Sequence, residues 1–152
     1  MRKYFEDYVI GEKIITPGRT VTEADVSILM GIARYNEPLM IDEEYARTTR
    51  FGTRIIPGRI VLAIAGGLLT LAHVFDDETT ICGLGIKDVK FLNPLKAGDT
   101  IRLEVEFVRK EETSKPNMGI LTHREVCKNQ RGEVVFEAEE SHLVLKRPKE
   151  PK

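Results

Sequence analysis

Between Gly58 and Val74 the chain carries Ile60, Val61, Leu62, Ala63, Ile64, Ala65, Leu68, Leu69, Leu71 and Ala72, so apolar side chains occupy nearly every angle of a helix. A helix apolar all round is expected to be buried all round. At about 17 residues it would be about 25 Å long, short for a membrane span and suited to being wrapped by a sheet. Gly66 and Gly67 in its middle each cost roughly 1 kcal/mol against alanine. Close approach of a backbone or of a ligand is the expected compensation.

The remainder of the chain divides by texture. Residues 20–75 read as mainly helical. Thr22 to Asp25 has the form of a helix N-cap with an acid three residues on, and Val26, Leu29, Met30 and Ala33 then lie on one helical face. Pro38 biases Glu37 away from the helical region, so this helix should end near Arg34. Asp42 to Arg47 reads as a short second helix with Asp42 as its cap. Ahead of these, Glu12–Thr20 is a first strand broken at Pro17-Gly18.

Residues 80–146 read as strand. Ile101, Leu103, Val105 and Phe107 alternate with charged residues, as in a half-buried antiparallel strand. Ile81–Phe91, Met118–Cys127 and Val134–Leu145 are three further strands, with Asn129 to Gly132 as a hairpin turn. One buried helix and a run of long antiparallel strands make an α+β domain.

A length of 152 residues suits a single domain, expected over residues 1–147 with a solvated tail at 148–152. The net charge of −1 provides no basic excess for nucleic acid, and no apolar run is long enough for a membrane span. The start is charged and lacks the apolar stretch of a signal peptide. Cys82 and Cys127 are isolated and read as two buried, reduced thiols, so a cytoplasmic location is the default.

Several local patterns together resemble the MaoC-like domain. They are Val21 to Val26, Asn36 to Ala46, Thr49 to Gly58 leading into the buried helix, Phe91 to Thr100 (a variant of "F-x-x-P-V-x-x-G-D-T"), and Asn129 to Val135. They cover roughly residues 10–145 in the family's order. The resemblance implies a hotdog fold, a long antiparallel sheet wrapped around one central helix. It also implies an acyl-CoA chemistry, the (R)-specific hydration of trans-enoyl-CoA thioesters or the reverse dehydration, of use in fatty acid metabolism. No cofactor and no metal are implied.

In that family an Asp stands three residues before a proline and a His two residues after it. Laid through Pro38, these positions are Tyr35 and Met40. The family's Asn before the proline is Glu37, and the His that often precedes the helix glycine is Pro57. Tyrosine, with an ordinary pKa near ~10, is protonated at neutral pH, and methionine neither takes nor gives a proton. General acid–base catalysis is typically worth roughly 10²–10⁴-fold, so the usual mechanism should be crippled.

The family binds the thioester oxygen at the backbone N–H of the glycine that opens the helix, here Gly58. A helix N-terminus supports such a role with unpaired N–H groups and partial positive charge. A sharp turn after Pro57 requires glycine equally well. Arg59 replaces an apolar residue and suggests an altered pocket entrance, and Gly66 leaves room for substrate. Arg50, Arg54 and Arg59 surround the helix start, as a solvated face or as partners for CoA phosphates. His73 suits the helix C-terminus, while His123 and His142 lack metal-type spacing.

The resemblance therefore implies a protein that binds an acyl thioester but lacks the usual Asp/His pair. Two alternatives stand beside it: a thioesterase using Glu37, and a structural subunit that pairs with a catalytic hotdog partner. A homodimer or higher homo-oligomer is expected otherwise, because one protomer leaves a sheet edge open.

Overall fold

The computed structural model describes residues 2–148, so most of the expected tail lies outside the described residues. The apolar segment forms helix α4, Gly58–Leu71, following α1 (Glu23–Ala33), α2 (Pro38–Ile41) and α3 (Glu43–Arg47). The strands are β1 (Lys13–Ile15), β2 (Arg19–Thr20), β3 (Thr80–Phe91), β4 (Thr100–Glu112), β5 (Met118–Asn129) and β6 (Val134–Leu145). They form one antiparallel sheet in the order β1-β4-β5-β6-β3, with β2 also paired to β4. The sheet curves around α4, which is the hotdog arrangement.

Helix α4 stops three residues short of Val74. His73 adopts a left-handed φ of 48°. Its N–H reaches Thr70 O at 3.0 Å, and Val74 N–H reaches Leu69 O at 3.1 Å. This bond pair closes a helix C-terminus and normally uses glycine. The helix is also not buried all round. Ile60, Val61, Ile64, Ala65, Leu68 and Leu69 are buried against the sheet, whereas Arg59, Ala63, Gly66, Gly67, Thr70 and Leu71 are exposed. The sheet covers one face only, and small residues line the other. Nothing in the chain approaches the Cβ positions of Gly66 or Gly67 within 4 Å, so no backbone contact explains the glycine pair.

On β4, Ile101, Leu103, Val105 and Phe107 all face inward with at most 1% exposure, as alternation predicts. Leu121, Phe136, Ala138 and Val144 join them to complete the core against α4. Each of these side chains larger than alanine contributes roughly 1.5–3 kcal/mol by leaving water. The β5–β6 hairpin turns at Gly132, with φ 79°, and the Asn129 side chain accepts from the Arg131 and Glu133 N–H groups.

Strand β3 departs from the half-buried pattern. It lies at the sheet edge and is exposed along nearly its whole length, including Ile81, Leu84, Ile86 and Phe91. Cys82 is exposed there as a free thiol, contrary to the expectation of two buried cysteines; Cys127 is buried.

Candidate functional site

Local structure brings the motif residues to one place. The Thr22–Asp25 capping box starts α1, with Asp25 N–H to Thr22 Oγ1 at 3.1 Å and Thr22 N–H to Asp25 Oδ2 at 3.0 Å. Arg34 ends it in the left-handed region at φ 54°, and the turn closes with Tyr35 N–H to Met30 O at 3.2 Å. This reversal delivers Tyr35 to the start of α4. Pro38 then opens the short α2, which carries Met40. Asp42 caps α3, accepting from Tyr45 N–H at 3.0 Å.

The loop before α4 is held by charge. The Glu43 carboxylate accepts from Thr53 Oγ1 at 2.8 Å and from Arg54 Nε at 3.2 Å, and Arg54 also bridges to Glu23 of α1 at 2.5 Å. The Thr53 hydroxyl, then the Arg54 N–H, hold the Glu43 carboxyl below its usual range. Arg54 is thus committed to structure. Arg50 stacks on Phe51 at 4.9 Å, and Arg59 stays exposed. Ile56 pairs with Leu95, which fixes the loop after β3 beside the helix start.

The outcome is a cleft of about 450 Å³ at the N-terminus of α4. Tyr35, Met40, Gly58 and Arg59 line it with Ile55, Phe91 and other apolar neighbours. No carboxylate and no imidazole is among its lining residues. The N–H groups of Gly58 and Arg59 have no hydrogen-bond partner among the described residues, as the geometry of a helix start requires. A neutral, polarised oxygen fits there; proton abstraction has no base in the lining.

Glu37 takes no part in this lining. It sits exposed at the N-cap of α2, and its side chain makes no cap bond. Gly66 is also elsewhere. Eight residues along α4, about 12 Å from Gly58, it borders a separate cleft of about 310 Å³ with Leu69, Phe75, Thr80, Glu140 and His142.

That second region holds a group that sequence spacing missed. His123 and Glu125 on β5 lie beside Glu140 and His142 on β6. Burial, then the Glu125 carboxylate, push the Glu140 carboxyl up to about 7. Burial, then His123, push the His142 imidazole down to about 4. The available signal was a pair of patterns, His-x-Glu and Glu-x-His, on two strands of one hairpin.

A sheet curved around a helix whose N-terminus opens a cleft places the chain among hotdog-fold proteins. The chain belongs to the MaoC-like dehydratase family: the family's "MaoC like domain" matches residues 6–128. It is 33% identical over 109 residues to Protein MaoC of Klebsiella aerogenes, covering 72% of this chain but only 32% of that protein's length. It is 28% identical over 145 residues to the (R)-specific enoyl-CoA hydratase of Rhodospirillum rubrum, covering 93% and 91% of the two chains. The solved structure of a monoamine oxidase regulatory protein from Archaeoglobus fulgidus superimposes with a TM-score of 0.90 at 40% identity, over 97% of each chain.

Proposed function

We propose that this chain binds an acyl thioester of the acyl-CoA type at the α4 N-terminus, without performing hydration through an Asp/His pair. The cleft carries this reading: it keeps the open Gly58 and Arg59 N–H groups and an apolar wall, yet its lining includes no proton-accepting side chain. Tyr35 and Met40 stand where the family's Asp and His would act. A phenol with an ordinary pKa near ~10 does not take a proton from water at neutral pH. The partial positive charge at the helix start polarises a thioester carbonyl without any side chain.

Use of Glu37 as a thioesterase base has less support, because Glu37 points its charge into solvent outside the cleft lining. Assembly is part of the proposal. The edge strand β3 exposes Ile81, Leu84, Ile86 and Phe91 at 48–50% each. An unpaired edge this apolar suits pairing with a second hotdog protomer, identical or catalytic.

Isothermal titration with crotonyl-CoA and with CoA alone tests the reading. Saturable binding that needs the acyl group is the expected result. Absence of binding at millimolar ligand would remove the acyl-thioester assignment and leave the subunit role.

A further inference from the structure

We propose that His123, Glu125, Glu140 and His142 form a binding site for one divalent transition-metal ion of the zinc type. This inference is independent of the acyl-thioester reading, since the cluster lies at the other cleft.

Strand register assembles the donors. In the β5–β6 ladder His123 stands opposite Glu140, and Leu121 opposite His142. Side chains two apart share a face, so Glu125 and His142 lie on the same face, one on either side of the His123–Glu140 rung. His123 Nε2 lies 2.8 Å from Glu125 Oε1 and 4.0 Å from Glu140 Oε2, and His142 Nε2 lies 3.6 Å from Glu140 Oε1. Tetrahedral coordination with bonds of about 2.0–2.1 Å places donors about 3.3 Å apart. These three separations bracket that value, and ligand atoms of His123, Glu125 and Glu140 all lie within 4.8 Å of one another; His142, 3.6 Å from Glu140, completes the set by side-chain rotation.

Charge balance points the same way. His123 is fully buried and Glu125 is 5% exposed. Among the described residues, the ion pairs of Glu125 and Glu140 are with histidines alone, without lysine or arginine. Two adjoining carboxylates out of water need a compensating cation or a proton. One aromatic ring packs on both imidazoles. The Phe75 ring lies 4.2 Å from that of His142 and 5.2 Å from that of His123. Gly83 of β3 offers no side chain; a Cβ there would come 3.3 Å from Glu140 Oε1.

The protein does not close this polar network by itself. The buried Nδ1 atoms of His123 and His142 have no hydrogen-bond partner. They lie across each ring from the Nε2 donors, so an ordered water, not the ion, would satisfy them. Imidazole and carboxylate donors together suit zinc, manganese or ferrous iron. Glu140 and His142 also border the 310 Å³ cleft, which provides a path in for the ion.

The test uses the full chain, stripped with EDTA and dialysed, then titrated with ZnCl₂ by calorimetry and with CoCl₂ by visible absorption. We expect one ion per chain with a micromolar or tighter dissociation constant, and a cobalt d–d band of low-symmetry coordination. Glu140→Gln and His142→Gln should each weaken binding at least tenfold. His73→Gln, which removes the exposed histidine, should bind as the wild type does. Circular dichroism establishes that each variant is folded, and His142→Gln at the cleft border serves if Glu140→Gln is not. No saturable binding, binding without the cobalt band, or binding unchanged in the folded cluster variants would overturn the proposal.

Discussion

The ring of Phe91 occupies the space that a side chain at Gly58 would need: a Cβ there would lie 2.6 Å from both Cε1 and Cζ of Phe91. Glycine at the α4 start therefore has a packing reason as well as a chemical one. Phe91 is 50% exposed and is itself part of the cleft lining, so the ring is free to swing outward under pressure.

A double-mutant cycle separates the two roles of Gly58. Gly58→Ala in the wild type should destabilise by about 1 kcal/mol, with Phe91 displaced. In a Phe91→Ala background the same change should be neutral or stabilising, and urea denaturation of the four proteins reads the coupling. Gly58→Pro in that background removes the N–H at a helix position where proline is tolerated. Crotonyl-CoA affinity should then fall about three- to tenfold, as for a lost hydrogen bond of about 0.5–1.5 kcal/mol. Unchanged affinity would remove Gly58 from the thioester contact.

The glycine pair in the middle of α4 lies on its open face with nothing near either Cβ position. Gly66→Ala and Gly67→Ala should each stabilise the isolated chain by about 0.4–1 kcal/mol, because alanine restricts the unfolded chain and favours helix. Thermal melts at low protein concentration check this. Loss of stability at high concentration alone would show that a second protomer packs on this face.

Asp99 provides the pH dependence. Its buried carboxylate accepts from Gln130 Nε2 at 2.7 Å, Lys96 N–H at 3.0 Å and Arg131 Nη1 at 3.0 Å. Burial alone would raise its pKa, but these three donors outweigh it and hold the carboxyl below its usual value of 3.8. A depressed pKa contributes stability above the unfolded value that is lost as pH falls through the folded one. Asp99→Asn should cost about 1–3 kcal/mol at pH 7. The gap to wild type should narrow as pH falls below about 4. Denaturation midpoints between pH 2.5 and 7 measure it, and a gap independent of pH would contradict the assignment.

How much of this was legible depended on whether a residue's role is local. Strand β4 was readable because Ile101 to Phe107 alternate with one face buried, Thr22 and Asp42 announced helix starts through side-chain chemistry, and the backbone bias of Pro38 announced the end of α1 near Arg34. Helix α2 was not readable, because Pro38, which turns the residue before it away from helix, also serves as a first helical residue. The all-round burial of α4 was overread: Ala63, Gly66 and Gly67 count as apolar in a pattern but are small enough to stand on an open face. Tyr35, Met40, Gly58 and Arg59 line one cleft at the α4 start, while Gly66 lies two helical turns away at another. The His123–Glu140 neighbourhood depends on strand register, which spacing along one chain does not reveal.

The central claim is binding without the family's proton transfer, and a crotonyl-CoA hydration assay addresses it most directly. The wild type should show no turnover above buffer at saturating substrate. The Tyr35→Asp/Met40→His variant, which restores the pair, should gain roughly 10²–10⁴-fold over it. Turnover by the wild type at the level of the restored variant would contradict the account.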